Sequence, residues 1–177
     1  LVREGDALER LAQVKRVAFD KTGTLTYGKP QVSGVESLSE SWTGKALYAL
    51  AAGAEVRSEH PLGKAVVTCY RESTGQTPPA SQDFLMLPGR GVQAQVDGHA
   101  VLAGNRALLE EAGVALPRWP KAEGWLKKGS TLIYLSVDGE AAGFLALSDT
   151  PRPNAAQVVQ AIQSAGAEPV LLTGDHA

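Results

Sequence analysis

Asp20 opens the stretch DKTGTLT, residues 20–26, and follows a short apolar, β-prone run, Val17-Ala18-Phe19. A carboxylate at the end of a strand, followed by a polar loop, is well placed as a nucleophile, because open α/β sheets build their sites at the C-terminal ends of their strands. Lys21 brings a positive charge, and Thr22 and Thr24 bring hydroxyls. Gly23 lets the backbone turn so that N–H groups can face a phosphate. Together these groups suit a carboxylate nucleophile acting beside a phosphate. The competing reading is a capped turn with Asp20 as a surface acid. It would prevail for a bare D-x-T, and the full stretch weighs against it. Other polar groups in suggestive settings are His60 within SEHPL (58–62), Asp149 and Arg152 within SDTPRP, and Thr173-Gly174-Asp175 after the apolar run VLL.

The elements that must position these groups follow from the pattern. Residues 3–13 are amphipathic, with Leu8, Leu11 and Ala12 at helical spacing and Asp6 with Glu9 as a capping pair. Residues 15–19 form the strand that delivers Asp20. Gly28-Lys29-Pro30 is a turn signal. Residues 31–36 alternate as a strand, and 41–54 carry Leu47, Leu50 and Ala51 on one helical face. Pro61 suits the first turn of a helix reaching about Glu72. Residues 74–82 read as a loop. Two hairpins are expected around Asp97-Gly98 and Asp138-Gly139, with helices over 105–113 and 119–128 between them. From Ser148 a turn leads to a helix with Val158, Val159 and Ile162 inward, then a strand from Pro169 to the polar loop at Thr173. Strand, helix, strand is the grammar of a parallel sheet. The chain is therefore expected to begin an α/β domain (1–29), leave it for an inserted antiparallel α+β domain (30–147), and return (148–177).

Composition bounds the function classes. The 177 residues are enough for one large or two small cores, and 44% apolar with 20% charged residues is ordinary for a globular protein. A net charge of −2 argues against a broad electrostatic grip on nucleic acid. Cys69 is the only cysteine, so no internal disulfide can form and a reducing compartment fits. No apolar run approaches the roughly 18 residues needed to span a bilayer, and the start lacks a signal-peptide pattern. A soluble chain is expected. The three histidines and Cys69 lack ligand spacing for a transition metal. His99 is expected exposed on its hairpin, Cys69 in a core, Trp119 and Trp125 packed under a loop, and Lys121, Lys127 and Lys128 on a solvated face.

DKTGTLT resembles the phosphorylation motif of P-type ATPases, cation pumps whose catalytic domain has the haloacid-dehalogenase-like, Rossmann-like fold. The resemblance extends over essentially the whole chain. It implies that Asp20 takes the γ-phosphoryl of ATP and that Asp20, with the backbone carbonyl of Thr22, forms part of a Mg²⁺ site. Phosphatases of the superfamily usually carry an acid where Thr22 stands, so a long-lived aspartyl phosphate is favoured over free-standing phosphatase activity. Thr173-Gly174-Asp175 resembles the family's second motif, in which Thr173 would hydrogen-bond the transferring phosphoryl and Gly174 would admit the backbone. His176 departs from the family's usual Asn.

SEHPL resembles the heavy-metal branch, where this His orients the adenine or the phosphates of ATP and an acid at the position of Glu55 contacts the adenine amino edge. By chemistry alone, His60 also reads as a surface residue at a helix start. The resemblance places Gly89 and Gly91 at an opening for the adenine ring, Val92 against the base, and Gly104-Asn105 at the pocket, where the alternative is an ordinary turn with an Asn cap. Asp149 and Arg152 match the family's hinge, expected also to face nucleotide phosphates; chemistry alone allows a salt bridge or a cap. PGRGV and SEHPLGKAV look more like copper(I) pumps than zinc or cadmium ones. ATP and Mg²⁺ are the implied cofactors, and the membrane and actuator domains of a pump the implied partners, at the cytoplasmic face of a membrane. The metal-completing Asp pair and an assisting Lys would lie beyond Ala177, so ATP binding with little turnover is expected of this stretch alone.

Overall fold

The computed structural model describes residues 13–172, with the side chains of Lys21 and Thr22 outside the description. Residues 3–12 of the expected helix at 3–13 and the Thr173-Gly174-Asp175 group therefore lie outside the described residues, and Gln13 is in a turn. The chain divides into two compact units, with the crossings at 29/30 and 148/149.

The first unit holds β1 (Arg16–Asp20) and β8 (Glu168–Leu172), which pair in parallel from Arg16 opposite Glu168 to Asp20 opposite Leu172. Arg16 Nε donates to Glu168 Oε2 at 2.8 Å across the first rung. A single π-helical turn over Lys21–Leu25 follows β1. Helix α5 (Ala155–Ser164) precedes β8, as a parallel connection requires. It buries no residue fully, and Val158, expected inward, is 38% exposed. The described part of this unit offers α5 only a two-stranded sheet to pack on.

The second unit is a six-stranded sheet in the order β2-β7-β6-β5-β4-β3. Its strands are β2 (Thr26–Ser37), β3 (Ser81–Leu87), β4 (Gly91–Val96), β5 (His99–Gly104), β6 (Thr131–Val137) and β7 (Glu140–Pro151), of which β2 and β7 each contain a crossing between the units. The ladders from β3 to β7 are antiparallel. Asp97 (φ 50°) and Gly98 (φ 81°), like Asp138 (52°) and Gly139 (82°), adopt the left-handed pair that a tight hairpin needs.

Side chains alternate across the sheet with the period of two that a strand imposes. Val92, Ala94 and Val96 of β4, with Ile133, Leu135 and Val137 of β6, join Leu47, Leu50, Val66 and Tyr70 of helices α1 (Gly44–Glu55) and α2 (Pro61–Thr74) in one core. Leu132 and Tyr134 of β6, with Phe144 and Ala146 of β7, face the other way. They pack with Leu108 and Leu109 of α3 (Arg106–Glu111), Ala122 of α4 (Pro120–Lys127), and Trp119. Strands β6 and β7 are buried on both faces, which is why they read as continuous apolar runs. Trp119 lies nearly parallel to Phe144 at 6.0 Å, and Trp125 packs against the bare Cα of Gly34.

Two expected turns are strand instead. The strand β2 continues through Gly28-Lys29-Pro30, and β7 through Ser148–Pro151. Gly28 takes φ +67°, so the strand kinks without ending. The Asp149 carboxylate accepts the backbone N–H groups of Gly28 and Lys29, both at 3.2 Å. Pro30 has no N–H to satisfy.

Candidate functional site

The site residues fall into two groups, one in each unit. In the first unit, Asp20 ends β1 with its side chain exposed, and the π-turn that follows is held by side chains from far along the sequence. Thr26 is buried, and its hydroxyl oxygen accepts the Gly23 N–H at 3.1 Å and donates to Asp149 Oδ2. Arg152 donates from Nε to the Thr26 carbonyl and from Nη2 to the Gly23 carbonyl, both at 3.2 Å, and its guanidinium lies 5.1 Å from the Tyr27 ring centre. The Arg152 N–H donates to Leu25 O at 2.8 Å. Asp149 and Arg152 thus clamp the backbone that carries the nucleophile candidate. Their side chains are occupied by that backbone, and they lie in the first unit with Asp20. Asp149 makes neither of the bonds that chemistry alone suggested, an ion pair with Arg152 or a helix cap; among the described residues its partners are Thr26, Gly28 and Lys29.

Asp20 Oδ and the Thr22 carbonyl are hard oxygen donors of the kind Mg²⁺ takes, and Mg²⁺ keeps several waters of its own. Among the described residues no three His, Cys, Asp or Glu side chains cluster as a complete metal cage.

In the second unit a cavity of about 250 Å³ opens between the α1–α2 junction, the β3–β4 turn and the end of β5. Glu55, His60, Gly89, Gly91, Val92, Gly104 and Asn105 all line it, although Asn105 stands 50 positions after Glu55 in the sequence. Ser58, Arg90 and Met86 also line the cavity; the first two lie in stretches noted from sequence, SEHPL and PGRGV, but none of the three was assigned a site role there. Arg90 carried a signal, since it stands between two glycines.

Each lining group has a local cause. Glu55 is the last residue of α1 and is buried beside Ser58. A methyl at Gly63 would strike Glu55 Oε2 and come within 2.6 Å of Ser58 Oγ, so the glycine at the start of α2 makes room for the carboxyl group. Burial pushes the Glu55 carboxyl up to about 7, partly offset by a hydrogen bond from Ser58. His60 caps α2, its Nδ1 accepting the Leu62 N–H at 3.2 Å, which leaves the proton of the neutral ring on Nε2 as a donor. It is both the helix-start residue and a cavity wall.

The two glycines of β4 and β5 serve each other before any ligand. Gly91 pairs with Gly104 in the β4–β5 ladder. A Cβ on Gly104 would meet the Arg90 carbonyl, Leu108 Cδ2 at 2.7 Å and Gly91 Cα at 2.9 Å. A Cβ on Gly91 would meet the Ala103 carbonyl. Gly89, by contrast, borders open space and needs its glycine for a φ of +69°. Asn105 is tied into the same corner: Oδ1 caps α3 by accepting the Leu108 N–H at 3.0 Å, and Nδ2 donates to the Gly89 carbonyl at 2.8 Å. Val92 is buried under the cavity floor.

Outside these groups, His99 is not idle on its hairpin. Nδ1 bonds Asp138 Oδ2 at 2.7 Å, and the ring meets Trp42 edge-on at 5.0 Å. That bond and the Ala100 N–H hold the Asp138 carboxyl below its usual range. No helix of the described residues is long and apolar enough to cross a membrane.

Comparison with known proteins gives this geometry a context. The haloacid dehalogenase-like hydrolase family profile matches residues 14–177. Over 99% of this chain, a copper-transporting ATPase of Oryza sativa subsp. japonica is 37% identical and a zinc-exporting P-type ATPase of Mycobacterium marinum is 36% identical. The chain spans 18% and 24% of those two proteins, respectively. The crystal structure of a zinc-transporting PIB-type ATPase in its E2.Pi state superposes with a TM-score of 0.82 at 33% identity, covering 99% of this chain and 28% of that one. The fold is therefore haloacid-dehalogenase-like with an inserted antiparallel α+β sheet, and the chain belongs to the haloacid dehalogenase-like hydrolases, similar along its whole length to a segment of metal-transporting P-type ATPases.

Proposed function

We propose that this chain is the nucleotide-handling part of a heavy-metal P-type ATPase. In this reading residues 30–147 bind the adenine end of ATP, and residues 1–29 with 148–177 carry the phosphoryl acceptor. The observation that carries it is the cavity, which gathers Glu55, His60, Gly89, Gly91, Val92, Gly104 and Asn105 into one lining. Its size supports a base with part of a sugar, being below the roughly 300–1,000 Å³ of drug-sized pockets. Glu55 accepts the adenine amino group, the His60 Nε2–H donates to the ligand, and Val92 packs on the ring.

Transfer follows the logic of aspartyl phosphate formation. An Asp20 oxygen bonds to the γ-phosphorus while the bond to the β–γ bridging oxygen breaks, and ADP leaves with that electron pair. Asp20 and the Thr22 carbonyl would hold part of the shell of a Mg²⁺ ion, which would supply charge neutralisation. Lys21 adds positive charge, and by the resemblance of Thr173-Gly174-Asp175 to the family's second motif Thr173 would hydrogen-bond the transferring phosphoryl and Gly174 would let the backbone approach it. Asp149 and Arg152 keep the Asp20 loop in its turn. The partners are the membrane and actuator parts of a pump, and the site is the cytoplasmic face of a membrane. For the cargo we adopt copper(I), on the likeness of PGRGV and SEHPLGKAV to copper pumps and on the rice relative named above.

Calorimetric titration of ATP into the chain and into its His60→Ala variant tests this reading. About a tenfold loss of affinity is expected, equivalent to one hydrogen bond of about 1.4 kcal/mol. Equal affinities would remove the adenine-pocket assignment.

A further inference from the structure

The cavity has one feature that base recognition does not use. Among the described residues lining it, Arg90 is the only arginine or lysine. Its backbone is pinned at the rim: the Arg90 N–H donates to Leu87 O at 2.9 Å, and its carbonyl accepts the Asn105 N–H at 2.8 Å. Its side chain is not pinned by packing. The side chain is 44% exposed and rests on the carboxylate of Glu111, itself 58% exposed, with Nη2 at 2.7 Å from Oε1. An exposed ion pair of this kind is nearly balanced by solvation and screening, so the guanidinium is readily exchanged to a stronger anion. A planar guanidinium matches phosphate oxygens in a two-point bond that a lone carboxylate oxygen does not offer.

A cavity of about 250 Å³ cannot enclose a whole nucleoside triphosphate, so the anionic tail of a nucleotide bound by its base must emerge at the rim. We propose that Arg90 is the tail-reading residue of this site: it leaves Glu111 to pair with a phosphate of the bound nucleotide, and Glu111 is the internal competitor that sets how tightly the tail is held. The inference rests on the adenine-cavity reading and deepens it. Arg90 would separate ATP from adenosine, while His60 and Glu55 would hold both.

The test is a set of calorimetric titrations with ATP and with adenosine, divalent cations chelated so that the tail keeps its full charge. Arg90→Gln is expected to weaken ATP about fivefold and leave adenosine unchanged, so adenosine binding also reports that the variant is folded. Arg90→Lys retains part of the ATP preference. Glu111→Gln, which frees the guanidinium without touching the cavity, tightens ATP two- to threefold, again with adenosine unchanged. The ATP affinity of the unmodified chain falls more steeply with salt than that of Arg90→Gln. Equal weakening of both ligands by Arg90→Gln would assign Arg90 to the base or to rim shape and overturn the proposal. So would an ATP-to-adenosine ratio that neither variant changes. If neither ligand binds the unmodified chain, the cavity reading fails and this inference fails with it.

Discussion

Glu55 carries the clearest electrostatic consequence of the site. Its carboxyl is raised from 4.5 to about 7 because it is buried at the end of α1. The folded chain therefore holds that proton more tightly than the unfolded chain does. The stabilisation is complete below about pH 4.5 and is lost as pH rises through about 7. At 1.36 kcal/mol per pH unit, the loss is on the order of 3 kcal/mol. Urea unfolding at pH 5 and pH 8 should show this loss in the unmodified chain and little of it in Glu55→Gln; parallel pH profiles would contradict the assignment. The same carboxyl gives a ligand prediction. The ionised carboxylate is the stronger acceptor for the adenine amino group, so a contact made by that form makes ATP binding near pH 7 release a fraction of a proton. That release appears as a binding enthalpy that varies with the ionisation enthalpy of the buffer, and a buffer-independent enthalpy would count against the contact.

Among the elements, the corner between β4 and β5 and the kinked start of β2 are the most constrained. Gly104→Ala would drive a methyl into the Arg90 carbonyl and Leu108, so a loss of about 1–3 kcal/mol is expected from overpacking. Gly89→Ala meets only its own positive φ and should cost about 1–2 kcal/mol. Equal and negligible costs in thermal unfolding would contradict the close approach of the two strands. At the start of β2, Asp149→Ala should speed amide exchange at Gly28 and Lys29 while leaving the β4–β5 amides protected. Unchanged exchange would mean the carboxylate does not hold them.

These elements also show what sequence conveys. The hairpins were legible because Asp-Gly pairs have a fixed turn chemistry, and the haloacid-dehalogenase-like fold because DKTGTLT resembles the phosphorylation motif of P-type ATPases. The path of β2 was not legible. Gly28-Lys29-Pro30 is a turn by local chemistry, and a carboxylate 120 positions away makes it strand. The Asn105–Gly89 bond and the Arg90–Glu111 pair were hidden for the same reason, since each joins segments that meet only in the fold. The raised Glu55 carboxyl depends on burial under α2, which no local pattern encodes.

At the scale of the whole chain, the proposed function divides the tasks between the two units: adenine recognition in the six-stranded sheet and its cavity, phosphoryl acceptance in the loop after β1. The groups of the cavity all belong to residues 30–148, and those that hold the Asp20 loop all lie outside that range. A titration of ¹⁵N-labelled chain with ATP, followed by amide chemical shifts, tests this division most directly. The account predicts saturable shifts concentrated at Glu55–Gly63, Gly89–Val92 and Gly104–Asn105. Shifts confined to other surfaces, or none at millimolar ATP, would contradict it.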